Sequence, residues 1–189
     1  MIGILETYRP AGIHAKNNKT FLGIKMRIWP FLLSLCLVFG LSGCASKFKA
    51  YNGPEVTRII VNKGERKMYL MHHNEVLEAY KVGLGFAPRG HKQVEGDGRT
   101  PEGEYRINRR NPNSEFHLSL GISYPNDADR AYAKSISKKP GGDIFIHGRP
   151  WKNRKGGRDW TAGCIAVSNN EIEEIYAMVR DGTPITINP

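Results

Sequence analysis

Apolar, β-branched runs too short for helices recur through this chain at close spacing, and they limit the folds open to it. Residues 57–62 (Thr-Arg-Ile-Ile-Val-Asn) and 66–71 (Arg-Lys-Met-Tyr-Leu-Met) flank Lys63-Gly64-Glu65 as a hairpin, and 76–82 (Val-Leu-Glu-Ala-Tyr-Lys-Val) follows after a polar turn. Residues 104–107 continue as a strand from the turn Thr100-Pro101-Glu102-Gly103, and 116–124 alternates like another, ending at Pro125-Asn126-Asp127. Strands so closely spaced predict a mainly β domain, a mixed sandwich or barrel. Two helical stretches interrupt them. Residues 128–137 form a short one capped by Asp127, broken by Lys138-Lys139-Pro140-Gly141-Gly142. The second opens on a capping box, Ser168 with Glu171, places Ile172, Ile175, Tyr176 and Val179 on one face, and stops at Gly182. Residues 183–187 then close the sheet as a last strand.

The first 44 residues stand apart from that domain. Met26-Arg27 leads into an apolar run, 28–40, and then Leu41-Ser42-Gly43-Cys44. A short basic start, an apolar stretch too short to span a bilayer with ease and small residues at a cleavage point describe a secretory signal. Leu-Ser-Gly-Cys resembles a bacterial lipobox, which implies cleavage before Cys44, lipidation of its sulfur and a membrane anchor; a transmembrane or buried helix is the other reading of the same run. Met26 is the expected start. Ala45 after the lipidated cysteine, by resemblance to Gram-negative lipoproteins, implies a periplasmic domain on the inner leaflet of the outer membrane. The expected organisation is therefore 1–44 extension and signal, 45–54 tether ending Asn52-Gly53-Pro54, and 55–189 globular domain.

Cysteine usage sharpens the reading. Of Cys36, Cys44 and Cys164, the first leaves with the signal and the second carries lipid, so Cys164 is the one free thiol expected in an oxidising compartment. An unpaired structural thiol is a liability there, which favours a chemical role. The formal charge is +10; residues 1–44 contribute +4 (five Lys/Arg, one Asp/Glu), leaving +6 on the rest. A basic surface suits an anionic polymer, and an export signal argues against nucleic acid.

Cys164 lies within Thr161-Ala162-Gly163-Cys164-Ile165-Ala166-Val167, and His147 ends Ile144-Phe145-Ile146. Two neighbouring strands would bring thiol and imidazole together across 17 positions, so that the imidazole takes the thiol proton and holds the anion. Gly163 lets the backbone turn tightly, and amides at 162–164 can face a developing oxyanion. The Gly148 carbonyl can accept from the second ring nitrogen of His147 and fix its tautomer. The same cysteine in an apolar run also reads as a small buried hydrophobe. Between the pair, residues 149–158 carry five positive charges and Trp151, which suits a lid over an anionic peptide as well as a solvated loop. His72-His73 lacks a third ligand nearby and reads as a solvated turn, and 83–88 lacks the third glycine of a nucleotide-binding loop.

Ile-His147-Gly148, a loop, and then Thr161-x-Gly163-Cys164-Ile165 resemble the signature of the L,D-transpeptidase (YkuD-type) catalytic domain. Upstream, Gly98-Arg99-Thr100-Pro101-Glu102-Gly103-Glu104-Tyr105 is similar to that family's Gly-x-Thr-Pro-x-Gly-x-Tyr/Phe segment, and the likeness runs from about Val56 to Ile187. Two departures stand out: Ala162 occupies the place of a second histidine and Ala166 that of an arginine. The resemblance implies the family's mixed β fold with the last helix capping the site, and Cys164 as a nucleophile activated by His147. It also implies peptidoglycan tetrapeptide stems as substrate, with no metal or cofactor needed. It places Tyr124 and Asn126 in the cleft wall, where with Arg149 and Trp151 they are candidate substrate contacts; His117 reads as structural. Water in place of an acceptor amine would make the same site a carboxypeptidase, or an amidase that releases a wall-linked protein. A cell-wall binding module with an idle thiol is the non-enzymatic alternative.

Overall fold

The computed structural model describes residues 46–150 and 157–189. The elements in order are β1 (Arg58–Asn62), β2 (Lys67–His72), β3 (Glu75–Lys81), β4 (Gly103–Asn111), β5 (Ser119–Ile122), α1 (Asp127–Ser135), β6 (Phe145–His147), β7 (Ile165–Ala166), α2 (Asn169–Met178) and β8 (Pro184–Asn188). All eight strands join one sheet in the order β3-β2-β1-β8-β4-β5-β6-β7. Neighbours are antiparallel except β1 with β8 and β6 with β7, which are parallel. β4 turns the corner: Gly103–Arg106 pairs with β8, and Ile107 onward pairs with β5 across a register shift. Past β3 the chain reaches the far end of the sheet, where Gly83 bridges Ala166 and Gly85 bridges Thr161. The mainly β, curled sheet expected from the strand spacing is what forms.

Alternation explains the pairing. In β1 and β2 every second residue (Ile59, Val61, Met68, Leu70) is buried, so one face of the hairpin closes on the core while Arg58 and Lys67 stay wet. β5 is buried along its whole length, because α2 packs against β5 and β6. α2 begins as the capping box predicts: the Glu171 N–H donates to Ser168 Oγ at 3.3 Å and the Ser168 N–H to Glu171 Oε2 at 2.7 Å. It turns Ile172, Ile175, Tyr176 and Met178 inward. Arg110 spans the helix end, its guanidinium 3.9 Å from the Tyr176 ring centroid and bonded to the Tyr176 and Val179 carbonyls. Ile175→Ala removes a side chain with no exposed surface; denaturation in urea is expected to show a loss of about 2–5 kcal/mol.

The Thr100-Pro101-Glu102-Gly103 turn proves to be a structural hub. Lys63, 2 % exposed, donates from Nζ to Gly90 O (2.7 Å), Thr100 O (2.9 Å) and Glu102 Oε1 (2.7 Å). Burial pushes its amine pKa down, opposed by Glu102. Thr100 Oγ1 accepts from the Gly85 N–H at 3.1 Å, so the turn holds the 83–85 stretch that bridges to the cysteine loop. One expectation changes at an edge. α1 is capped by Asn126 rather than Asp127, since Asn126 Oδ1 accepts from the Asp129 N–H at 3.0 Å. The stretch 46–54, part of the expected 45–54 tether, is hydrogen-bonded to the domain through Lys47 and Lys49.

Candidate active site

β6 and β7 run parallel, with Ile146 opposite Ile165 and His147 opposite Ala166. Paired residues share a face, so Ile146 and Ile165 go to the core while Phe145, His147, Cys164 and Ala166 fall on the other side. On β5, Ser119 lies opposite His147 and joins that side. The result is a cleft of about 330 Å³ lined by Cys164, His147, Ser119, Phe145, Asp143 and the 111–116 wall. Cys164 is the free thiol among the described residues.

The imidazole is held from several directions. His147 is 3 % exposed, and its Nδ1 lies 2.6 Å from the Gly148 carbonyl oxygen. A carbonyl only accepts, so Nδ1 carries the proton and Nε2 keeps a lone pair. Phe116 lies along the ring, centroids 4.4 Å apart at 33°, and Trp160 meets it edge-on at 5.7 Å. Gly148 has no room for a side chain, since a Cβ would sit 2.6 Å from Asn169 Oδ1 and 2.9 Å from Phe116 O.

The cysteine loop is pinned by Thr161. Its hydroxyl donates to the Cys164 carbonyl at 2.7 Å and accepts the Gly163 N–H at 3.2 Å. Asp159 anchors the approach: it pairs with Arg66 (Nη2 to Oδ2, 2.9 Å) and accepts the Leu84 N–H at 3.1 Å. Gly163 has φ +136°, and a Cβ there would fall 2.7 Å from the Arg99 carbonyl oxygen. Gly163→Ala is therefore expected to cost about 1–3 kcal/mol and to displace the thiol, read as a lowered Tm and slower alkylation of Cys164 in the folded protein.

Both titrating groups rest neutral at pH 7. Burial pushes the Cys164 thiol up, only partly offset by the Phe145 N–H donated to the sulfur. Burial pushes His147 down, against the Gly148 hydrogen bond. The sulfur contacts the Asp143 carbonyl oxygen at 3.5 Å. A raised thiol pKa leaves little thiolate below it, and a lowered imidazole pKa leaves little imidazolium above it. Iodoacetamide alkylation of Cys164 is thus expected to climb steadily with pH beyond the range of an ordinary thiol; a rate already flat around neutrality would mean a preformed thiolate–imidazolium pair.

Other expected site residues fall elsewhere. Tyr124 is 5 % exposed, its hydroxyl donating to Pro140 O at 2.9 Å, and the half-buried Asn126 spends its side chain capping α1. The Arg149 guanidinium sits 5.6 Å from the Trp160 ring centroid and the Arg149 backbone N–H donates to Asn169 Oδ1, outside the thiol cleft. The Gly163 N–H, expected to face an oxyanion, is engaged by Thr161, while Ala162 is exposed. Trp151 and Cys44 lie outside the described residues. Phe116, Trp160, Ser119 and Asp143 are the site residues sequence reasoning missed; the β5–β6 register was the only signal for Ser119. Among the described residues no His/Cys/Asp/Glu cluster is placed to hold a metal.

A curled, mainly β sheet with an imidazole at the end of β6 and a thiol just before its neighbour β7, in one cleft, defines the class of domain. The profile of the L,D-transpeptidase catalytic domain (YkuD) matches residues 56–187, and the chain belongs to that family. It is 32 % identical over 108 residues to the putative L,D-transpeptidase YafK of Escherichia coli, covering 56 % of this chain and 38 % of the relative. To the putative L,D-transpeptidase YkuD of Bacillus subtilis it is 31 % identical over 132 residues, 69 % of this chain and 65 % of the relative. Among solved structures it resembles the helical cell shape determining protein Pgp2 of Campylobacter jejuni: TM-score 0.56, 26 % identity, 84 % of this chain and 54 % of that one.

Proposed function

We propose that the domain is a cysteine-dependent L,D-transpeptidase acting on peptidoglycan tetrapeptide stems. The observation that carries the reading is the shared cleft of Cys164 and His147, with Nδ1 tied to the Gly148 carbonyl. His147 Nε2 takes the thiol proton as Sγ attacks the carbonyl carbon between the diamino acid and the terminal D-alanine. The amides of Ala162 and Cys164 receive the oxyanion. His147 returns the proton to the departing amine, D-alanine leaves, and a thioester remains on Cys164. An acceptor amine then attacks the thioester carbonyl, its proton passes to His147, and the thiol is restored.

Ala166 favours a second reading. It is 2 % exposed and bonded through both backbone groups to Gly83, so no side chain there reaches an acceptor. Water then resolves the thioester, giving an L,D-carboxypeptidase or an amidase that releases a wall-linked protein. Lipid attachment at Cys44 and a periplasmic site on the outer membrane's inner leaflet complete the proposal, supported by Leu41-Ser42-Gly43-Cys44.

Disaccharide-tetrapeptide incubated with a second D-amino acid decides between these readings. Cysteine-dependent exchange of the terminal residue is the transpeptidase result. Tripeptide alone makes the protein a hydrolase, and an unchanged substrate rejects both.

A further inference from the structure

Residues 46–51 carry no secondary structure, yet they are fastened to the domain at several points. Lys47 Nζ donates to the Pro112 carbonyl at 2.6 Å and the His117 carbonyl at 3.3 Å. Lys49 Nζ donates to Asn170 O at 3.2 Å and Glu174 Oε1 at 3.0 Å, and lies 3.7 Å from Glu173 Oε2. Phe48 leans on Tyr176, ring centroids 6.3 Å apart, and Tyr51 packs on the core.

The segment that Lys47 grips is a wall of the thiol cleft. Ser114, Glu115 and Phe116, between its two carbonyl partners, line that cleft, and Phe116 is the ring lying on His147. His117 has φ +75°, a conformation unfavourable for a non-glycine residue that persists only where neighbours enforce it. The neighbours that do so include the strap: Lys47 holds the His117 carbonyl, and Glu173, facing Lys49, holds the His117 ring through Nε2 at 2.7 Å. Exposed ion pairs contribute little. One ammonium on two carbonyls of the same loop is different, because it fixes that loop's shape.

We propose that residues 46–51 are a clamp, with Lys47 as a positioning residue that holds the 112–117 wall and its Phe116 against the His147 imidazole. The role in turnover rests on the acyl-transfer reading above; the effect on the wall does not.

The test uses the full chain with Lys47→Met and Lys47→Arg. Two amides report on the wall directly: Leu118 N–H donates to Phe116 O at 3.0 Å and Gly148 N–H to Leu118 O at 3.3 Å. In Lys47→Met, hydrogen exchange at these two amides is expected to rise about tenfold while the β1–β2 amides keep wild-type rates. The kcat for D-alanine release is expected to fall roughly tenfold at nearly constant KM, within the range for a displaced positioning group. Lys47→Arg, which keeps a cationic donor, restores most of both. Unchanged exchange at Leu118 and Gly148 in folded Lys47→Met overturns the clamp, as does an increase spread evenly over the sheet. Should Lys47→Met not fold, Lys49→Met loosens the same wall through Glu173 and is judged by the same amides. If the wild type releases no D-alanine, the functional reading fails and exchange alone decides the clamp.

Discussion

Cys164→Ser is expected to leave the fold unchanged and to lower release of D-alanine from a tetrapeptide stem by roughly 10⁴-fold or more, the scale seen when the nucleophile of a cooperating pair is removed. The substitution is nearly isosteric in a side chain that lies at the cleft surface rather than in the core, so Tm should move little. What changes is the chemistry: a hydroxyl is far less acidic than a thiol, so the imidazole that suffices for Cys164 activates it much less well. The Asp143 carbonyl that meets Sγ at 3.5 Å and the Phe145 N–H would both accommodate an oxygen. Chromatography of the released amino acid, beside a thermal melt, checks the claim. Retention of even a tenth of wild-type activity in a folded Cys164→Ser protein would mean that the thiol is not the attacking group.

His147→Gln should lower kcat by about 10²–10⁴-fold at neutral pH, the usual contribution of a positioned general base. Gln fills much of the same space between Phe116 and Trp160 and can still bond the Gly148 carbonyl, so the loss reports on proton transfer. The sign of the pH dependence separates this from simple misfolding. Burial pushes the thiol pKa up, so on the proposed mechanism the wild type depends on His147 to remove the proton below that pKa. Above it, thiolate forms without help. The deficit of His147→Gln should therefore shrink as pH rises, measured as the ratio of wild-type to variant rates. A ratio independent of pH would assign His147 a role in packing alone.

The sequence made some parts of this architecture plain and hid others for identifiable reasons. β1 and β2 were legible because alternation and turn residues act over a few positions, and β3 from the polar turn that precedes it. α2 was legible from Ser168 and Glu171, whose reciprocal bonds are local. The cap of α1 slipped by one residue, since Asn126 and Asp127 are both good caps and only the Asp129 N–H chooses between them. The reading of 116–124 as one long strand failed at its start, where His117 takes a left-handed conformation and β5 begins at Ser119. His147 and Cys164 stood out through their chemistry and motif, and adjacent strands put them in one cleft. Tyr124 and Asn126 looked like substrate contacts; the Tyr124 hydroxyl is taken up by Pro140, 16 residues away, and the Asn126 side chain by the local cap on Asp129. Phe116 and Trp160 reach the His147 ring from 31 residues before it and 13 after it (147 − 116; 160 − 147), a pairing no local pattern encodes. The bonds that fasten the expected tether were hidden for a similar reason: Lys47 and Lys49 meet partners 65 and 121 residues away.

The most direct test is the mass of the protein itself. Full chain mixed with a tetrapeptide stem and quenched in acid within the first turnovers should carry the tripeptide-containing acyl group on Cys164, in step with release of one D-alanine, and Cys164→Ser should carry none. Free D-alanine appearing without a Cys164 adduct at any quench time, or no D-alanine at all from folded protein, would contradict covalent acyl transfer at this site.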